Sequence, residues 1–249
     1  MEKQPHIQLL PGDVGETVII PGDVSRAKVI ADHFDTAELV AQNGQFNTFT
    51  GSYKGVKVST TSTGIGGAAA AITIEELIRV GAKNLIRLGT GGMMQTWLPR
   101  PSILVITGAV TGDGTSVEYF CRGFPAIANI DIVEAMLASA IELGISVTPG
   151  LEWSHDSFYA GSNLSKLNIL EIEKPWIDAG VLIASQEAAT VFNVTRKRKR
   201  RGGTILCSAG AHQQPELSAS EEEMKKAISD ATRICLETAI KLYEMDHTK

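Results

Sequence analysis

"VKVSTTSTGIGGAAAAITIEELIRVGAKNLIRLGTGG", Val56 to Gly92, decides the fold class. It opens on a β-prone run, "VKVST", and passes through the glycines Gly64, Gly66 and Gly67 into an alanine-rich helical pattern, "AAAAITIEELIRVGA". It closes on a second short apolar run, "NLIRLG", that ends in Thr90, Gly91 and Gly92. A strand, a glycine turn, a helix and another strand form one period of an α/β arrangement.

The alternation continues on both sides. "TVII", "SILVITGAV", "GVLIAS" and "GTILCS" read as further strands, most of them buried on both faces. "DIVEAMLASAIELGI" and "SASEEEMKKAISDATRICLETAIKLYEM" read as helices. Ser220 and Glu223 form a capping box at the start of the last one. Its residues Ile228, Ala231, Ile234, Cys235 and Ala239 share a face. We expect helices layered on one mostly parallel sheet. With no repeat or linker in view, residues 1–249 are expected to form a single domain.

Composition narrows the function classes. Of the 249 residues, 43% are hydrophobic and 20% charged, with a formal net charge of −5. Bulk charge therefore does not suit a nucleic-acid binder. No apolar run reaches the roughly 18 residues of a membrane span, and "MEKQPHIQLL" lacks the apolar core of a signal peptide. Three cysteines far apart in sequence (Cys121, Cys207 and Cys235) argue against a disulfide framework or a zinc site and fit small buried hydrophobes in a reducing cytoplasm. The run "RKRKRR", Arg196 to Arg201, reads as a solvated helix end, where cations suit the dipole.

Three strand ends carry glycines: Pro21-Gly22-Asp23 followed by Arg26, the Gly64–Gly67 turn, and Gly89-Thr90-Gly91-Gly92 after Arg87. Ligands of open α/β sheets gather at such ends, where glycine lets them approach the backbone. Arg87 stands inside an apolar strand, and a buried guanidinium needs a partner. Two arginines, a threonine hydroxyl and glycine amides suggest a phosphate held by Gly22, Arg26, Arg87 and Thr90. Neither the Walker lysine pattern nor a dinucleotide GxGxxG is present. Further along, "LIASQEAATVF" places Gln186 and Glu187 where a strand meets a helix. Glu187 can accept from two sugar hydroxyls at once, or complement the helix dipole. Phosphate beside a diol-binding carboxylate points to a ribosyl compound.

Ordered matches now carry a resemblance: "QPHIQLLPGDVGETVIIPGDVSRA", "TSTGIGGAAAAITIEELIRVGAKNLIRLGTGG", "TGAVTGDGTSVEYF", "FPAIANIDIVEAM", "DSFY" and "QEAATVF". Together they cover nearly the whole chain, which resembles the hexameric nucleoside phosphorylases and most of all their uridine phosphorylase branch. The resemblance implies a three-layer α/β/α sandwich around a central distorted, mixed, barrel-like sheet. It implies dimers assembled into a homohexamer with shared active sites. The implied reaction is uridine plus phosphate to uracil plus ribose 1-phosphate, with phosphate as co-substrate and neither a metal nor an organic cofactor. Carried over by position, Gly22, Arg26, Arg87 and Thr90 hold phosphate. Thr90 and Gly91 line the nucleoside pocket, Glu187 takes the ribose hydroxyls with Gln186 beside it, and Arg87 and Glu187 are catalytic. His6 serves a neighbouring subunit, and Phe158 packs on the base.

The chain departs from that pattern at several points. Gly44 stands where the family carries a cross-dimer arginine, with Gln45 in place of a glutamate. Ser185 replaces the first acid of the family's E-M-E. Ser162, Asn163 and Leu164 stand where uridine enzymes carry glutamine and arginine, and His212, Gln213 and Gln214 lie where purine enzymes carry an aspartate. His155 beside Asp156 and His212 are further base-contacting candidates. The alternatives are a nucleosidase that uses water, and a nucleoside-binding relative with impaired catalysis.

Overall fold

In the computed structural model, residues 2–159, 168–211 and 214–248 are described. The strands are β1 (Thr17–Ile19), β2 (Thr36–Asn43), β3 (Phe46–Tyr53), β4 (Val56–Thr61), β5 (Asn84–Thr90), β6 (Gly92–Met93), β7 (Ser102–Gly112), β8 (Ala126–Ile127), β9 (Thr148–His155), β10 (Ile183–Ser185) and β11 (Arg201–Ser208). The helices are α1 (Val24–Ala31), α2 (Gly67–Arg79), α3 (Gly114–Tyr119), α4 (Ile130–Leu143), α5 (Ile169–Asp178), α6 (Ala188–Lys197) and α7 (Glu221–His247).

The eleven strands among the described residues join one sheet in the order β2-β3-β4-β1-β5-β11-β7-β9-β10-β6, with β8 paired to β7. Five of the ten pairings among the described residues are antiparallel, so the sheet is evenly mixed and not mostly parallel. The parallel centre is the expected part: β4, β1, β5 and β11 run side by side. Short β6 continues from β5, pairs with β10, and is bridged at Met93 to Ala211 just past β11. That bridge closes β11, β7, β9, β10 and β6 into a ring, the barrel-like part of the sheet.

Helices cover both faces. On β11 an added Cβ at Gly202 would strike Thr195 of α6, and one at Gly203 would strike Ile132 of α4. Successive strand residues point to opposite faces, so α6 and α4 lie on opposite sides. Helices α2 and α3 pack with α6, and α7 packs with α4. The result is three layers with an apolar core that includes Val18, Ile74, Leu85, Leu88, Ile205, Phe192 and Ile234.

Local chemistry accounts for the element boundaries. Ser220 and Glu223 form the expected capping box of α7, and Ala231, Ile234, Cys235 and Ala239 on its inner face are fully buried. Cys207 and Cys235 are buried as expected, but Cys121 is exposed. The basic run is only partly a free helix end. Arg196 and Lys197 close α6, while Arg198 pairs with Glu75, and Arg201 opens β11 bound to both Asp131 and Asp246. Among the described residues no helix is long and apolar enough to cross a membrane.

Candidate active site

The site is built where β1, β4, β5 and β10 end. Thr17, Val18 and Ile19 are fully paired between β4 and β5, which aims the Pro21-Gly22-Asp23 turn at the carboxyl edge of the sheet. Asp23 caps α1, accepting from the amides of Ser25 at 2.6 Å and Arg26 at 3.2 Å. Those amides are thus consumed by the chain's own carboxylate. An incoming anion is left with Gly22 and with side chains.

Gly22 faces the other expected residues directly. A Cβ there would lie 3.2 Å from the Gly64 carbonyl, 3.6 Å from Arg87 Nη1 and 4.0 Å from Glu187 Oε1. Arg87 and Glu187 are only 5% and 3% exposed, and Arg87 Nη2 is ion-paired to Glu187 Oε2. Glu187 Oε1 also accepts from the Gly66 amide at 2.9 Å, so one carboxylate ties β5 to the start of α2. Arg87 Nε is buried without a hydrogen-bond partner. Burial pulls the Arg26 guanidinium below its ordinary pKa, and the charge of Arg87 adds to that shift while Asp23 opposes it. Two cations that feel each other's charge beside Gly22 can share an oxyanion.

Thr90 is exposed at the end of β5. Gly91 is wedged against the next strand, since a Cβ there would come within 2.4 Å of the Ala184 carbonyl. Its amide donates to Cys207 O at 3.2 Å, and its carbonyl accepts from Ser208 Oγ at 2.9 Å. Gln186 Nε2 donates to the Asp156 carbonyl at 3.1 Å, linking the β10 turn to the segment that carries Phe158. The fold therefore brings Gly22, Arg26, Arg87, Thr90, Gly91, Gln186 and Glu187 to one edge.

Two further expected residues make contacts of their own within this chain. His6 is held by Glu76 of α2: its backbone amide donates to Glu76 Oε2 at 3.0 Å, and its ring Nδ1 lies 2.7 Å from Oε1. Phe158 is 71% exposed and meets Tyr159 edge-on at 5.0 Å. His155 stacks on Trp153 at 4.0 Å, and the carboxylate of Asp156 accepts from the Gly114 amide. Ser162, Asn163, Leu164, His212 and Gln213 lie outside the described residues.

Gly44 has a structural reason to be glycine. It leads the two-residue turn between β2 and β3 with φ +57°, and nothing lies within 4 Å of an added Cβ. The next residue, Gln45, lies against Gly64 and donates to Thr63 O at 3.1 Å, which seats this turn beside the site. An arginine would meet open space but would adopt a left-handed backbone at roughly 1–2 kcal/mol. Gly44→Arg is expected to lower stability by about that amount, checked by urea denaturation. Any gain in phosphate use must appear over that loss.

Sequence reasoning missed Glu152. It lies on β9, which was not anticipated as a strand, and is 0% exposed. Its Oε1 accepts from Ser154 Oγ at 2.8 Å and from Ser185 Oγ at 2.7 Å, while Oε2 is buried without a partner. Burial pushes its carboxyl up to about 7. The Ser185 hydroxyl, Arg87 and the Ser154 hydroxyl pull against that rise, and Glu187 adds to it. The available signal was a glutamate between two apolar residues, Leu151 and Trp153.

Known proteins share this architecture over its full extent. A purine nucleoside phosphorylase from Toxoplasma gondii, solved in complex with immucillin-H, superposes with a TM-score of 0.90 at 28% identity, covering 98% of both chains. The uridine phosphorylase of Vibrio fischeri gives 0.82 at 31% identity over 97% of both. Among curated relatives, a guanosine phosphorylase of Halorubrum lacusprofundi is 37% identical over 94% of this chain and 95% of its own. A uridine phosphorylase of Thermococcus kodakarensis is 35% identical over 94% of this chain and 87% of its own. The model of the Phosphorylase superfamily matches residues 16–241, and with the matching three-layer fold this means that the chain belongs to that superfamily.

Proposed function

We propose that the protein cleaves a ribonucleoside with inorganic phosphate, releasing the base and ribose 1-phosphate. The observation that carries this reading is the buried Arg87–Glu187 pair facing Gly22, with Arg26 close enough to feel the charge of Arg87. Two guanidinium groups at one glycine-floored edge suit a dianion. Water as the nucleophile would leave them without a purpose. In this reading Gly22, Arg26, Arg87 and Thr90 hold phosphate, while Glu187 takes the ribose 2′- and 3′-hydroxyls. Thr90, Gly91 and Gln186 line the nucleoside pocket, and Phe158 packs on the base.

Phosphate attacks C1′ as the glycosidic bond breaks through an oxocarbenium-like ribosyl cation. The C1′–O bond forms, and the bonding pair of the C1′–N bond leaves with the base. The residues need supply no covalent nucleophile. They align phosphate with C1′ and stabilise charge as it develops. His6, bound to Glu76 in its own chain, serves the site of a neighbouring copy in an assembly of dimers, a homohexamer. Sedimentation of the active species tests this, and an active monomer excludes it.

Two base classes have support. The motifs favour uridine, in line with the Thermococcus relative. The 37% identical guanosine phosphorylase and the 0.90 TM-score to a purine enzyme favour guanosine. A panel of uridine, guanosine, inosine and adenosine, with and without phosphate, decides between them. Ribose 1-phosphate is the expected product. Free ribose formed without phosphate, or nucleoside binding without turnover, overturns the reading.

A further inference from the structure

Glu152 holds a carboxylate in full burial, with one oxygen accepting from two serine hydroxyls and the other without a hydrogen-bond partner among the described residues. A buried polar group normally finds a partner, and one that does not calls for an explanation. The serines connect it to the β10 turn and to α6. Ser185 ends β10 directly before Gln186 and Glu187. Ser154 accepts from the amide of Ala189 at 2.9 Å, at the start of α6. Glu152 thus sits behind the turn that presents Glu187 to Arg87.

The charge arrangement gives it a second role. Of the strands beside β9, β7 places Ala109 opposite Glu152 and β10 places Ile183 there, so neither contributes a charge. Arg87 from β5 and Glu187 after β10 are the charged groups that act on it, and His155 lies three residues further along β9. If Glu152 is ionised, Arg87 faces two carboxylates, and their combined negative charge opposes an incoming anion. If Glu152 is neutral, Arg87 and Glu187 balance, and Arg26 remains for the anion.

We propose that Glu152 is a proton-holding positioning residue: it carries a proton while an oxyanion is seated at Arg87 and releases it when the anion leaves. The proposal rests on the reading of Arg26 and Arg87 as an anion site. Its burial-raised carboxyl, near 7, makes the exchange accessible around neutral pH. Anion affinity should then fall as pH rises through that value, because the neutral form that welcomes the anion is being lost.

The test uses sulfate, which stays a dianion across the range, whereas inorganic phosphate itself takes up a proton near neutrality. Calorimetric titration of wild type, Glu152→Gln and His155→Gln between about pH 5.5 and 8.5 reads affinity. Repetition in buffers of differing ionisation enthalpy reads proton uptake. Wild type and His155→Gln are expected to bind about tenfold more weakly at pH 8 than at pH 6, with uptake of about three-quarters of a proton near pH 7.5. Glu152→Gln is expected to bind with little pH dependence and no uptake, since its amide can still accept from both serines. Binding without proton uptake by wild type overturns the proposal, even if the variant fails to fold. So does a slope that persists in Glu152→Gln or vanishes in His155→Gln. Where phosphorolysis is nonetheless observed, these outcomes leave the proposed function standing. No sulfate binding at any pH overturns both.

Discussion

Arg87→Met is expected to destabilise the protein by about 3–5 kcal/mol, the usual consequence of stripping one partner from a buried ion pair. Glu187 would keep its Gly66 amide but lose its cation at 3% exposure. The same substitution removes one charge-assisted contact of roughly 1.5–3 kcal/mol from a bound phosphate, or about ten- to a hundredfold in phosphate use. Arg87→Met with Glu187→Gln separates the two effects. With neither charge present, stability should recover most of the loss under urea denaturation. Phosphorolysis should not recover. A double variant that restored phosphate use would mean that Arg87 stabilises the fold and has no part in holding the anion.

Gly91→Ala is expected to lower kcat/KM by about a hundredfold, through a single methyl group that displaces β10. The new carbon would approach the Ala184 carbonyl to 2.4 Å and the Ile183 side chain to 2.9 Å. Backbone cannot yield as a flexible side chain can, so β10 must move. Overpacking of this kind costs about 1–3 kcal/mol. Glu187 follows Ala184 by three residues, and a displacement near 1 Å in a catalytic group can cost about 10²-fold. Gly114→Ala is the control, because its Cβ would meet only Asp156 Oδ2 at an ordinary 3.5 Å. It should change stability by no more than about 0.5 kcal/mol. Equal activity in the two variants would show that the Gly91 contact with β10 does not position the site.

Several features could be read from residue order alone. The alternation around Val56–Gly92 is local, because strand, glycine turn and helix each follow from neighbouring residues, and it gave the layered fold class correctly. The α7 capping box needs only Ser220 and Glu223. Arg87 could be singled out because a charge in an apolar strand demands a partner wherever that strand ends up, and Glu187 stands at a strand-to-helix junction that is visible in one dimension.

Tertiary structure decided what depends on register and closure. The β2–β3 hairpin reads as "TAELVAQN", largely exposed, and "FNTFTGSY", rich in polar residues, which carry a weak strand signal, so both strands escaped notice. Strand β9, "TPGLEWSH", holds proline, glycine and glutamate, which local propensity disfavours in strands. It is held by pairing to β7 and β10 on its two sides. Because that strand was invisible, so was Glu152, whose place beside Ser185 exists only through the β9–β10 register. The consumption of the α1 amides by Asp23 and the left-handed turn at Gly44 likewise depend on dihedral angles that residue identity allows but does not choose. Composition and periodicity determine which segments can be strands and helices. Long-range hydrogen bonding and burial determine which of their polar side chains meet, and that meeting makes the site.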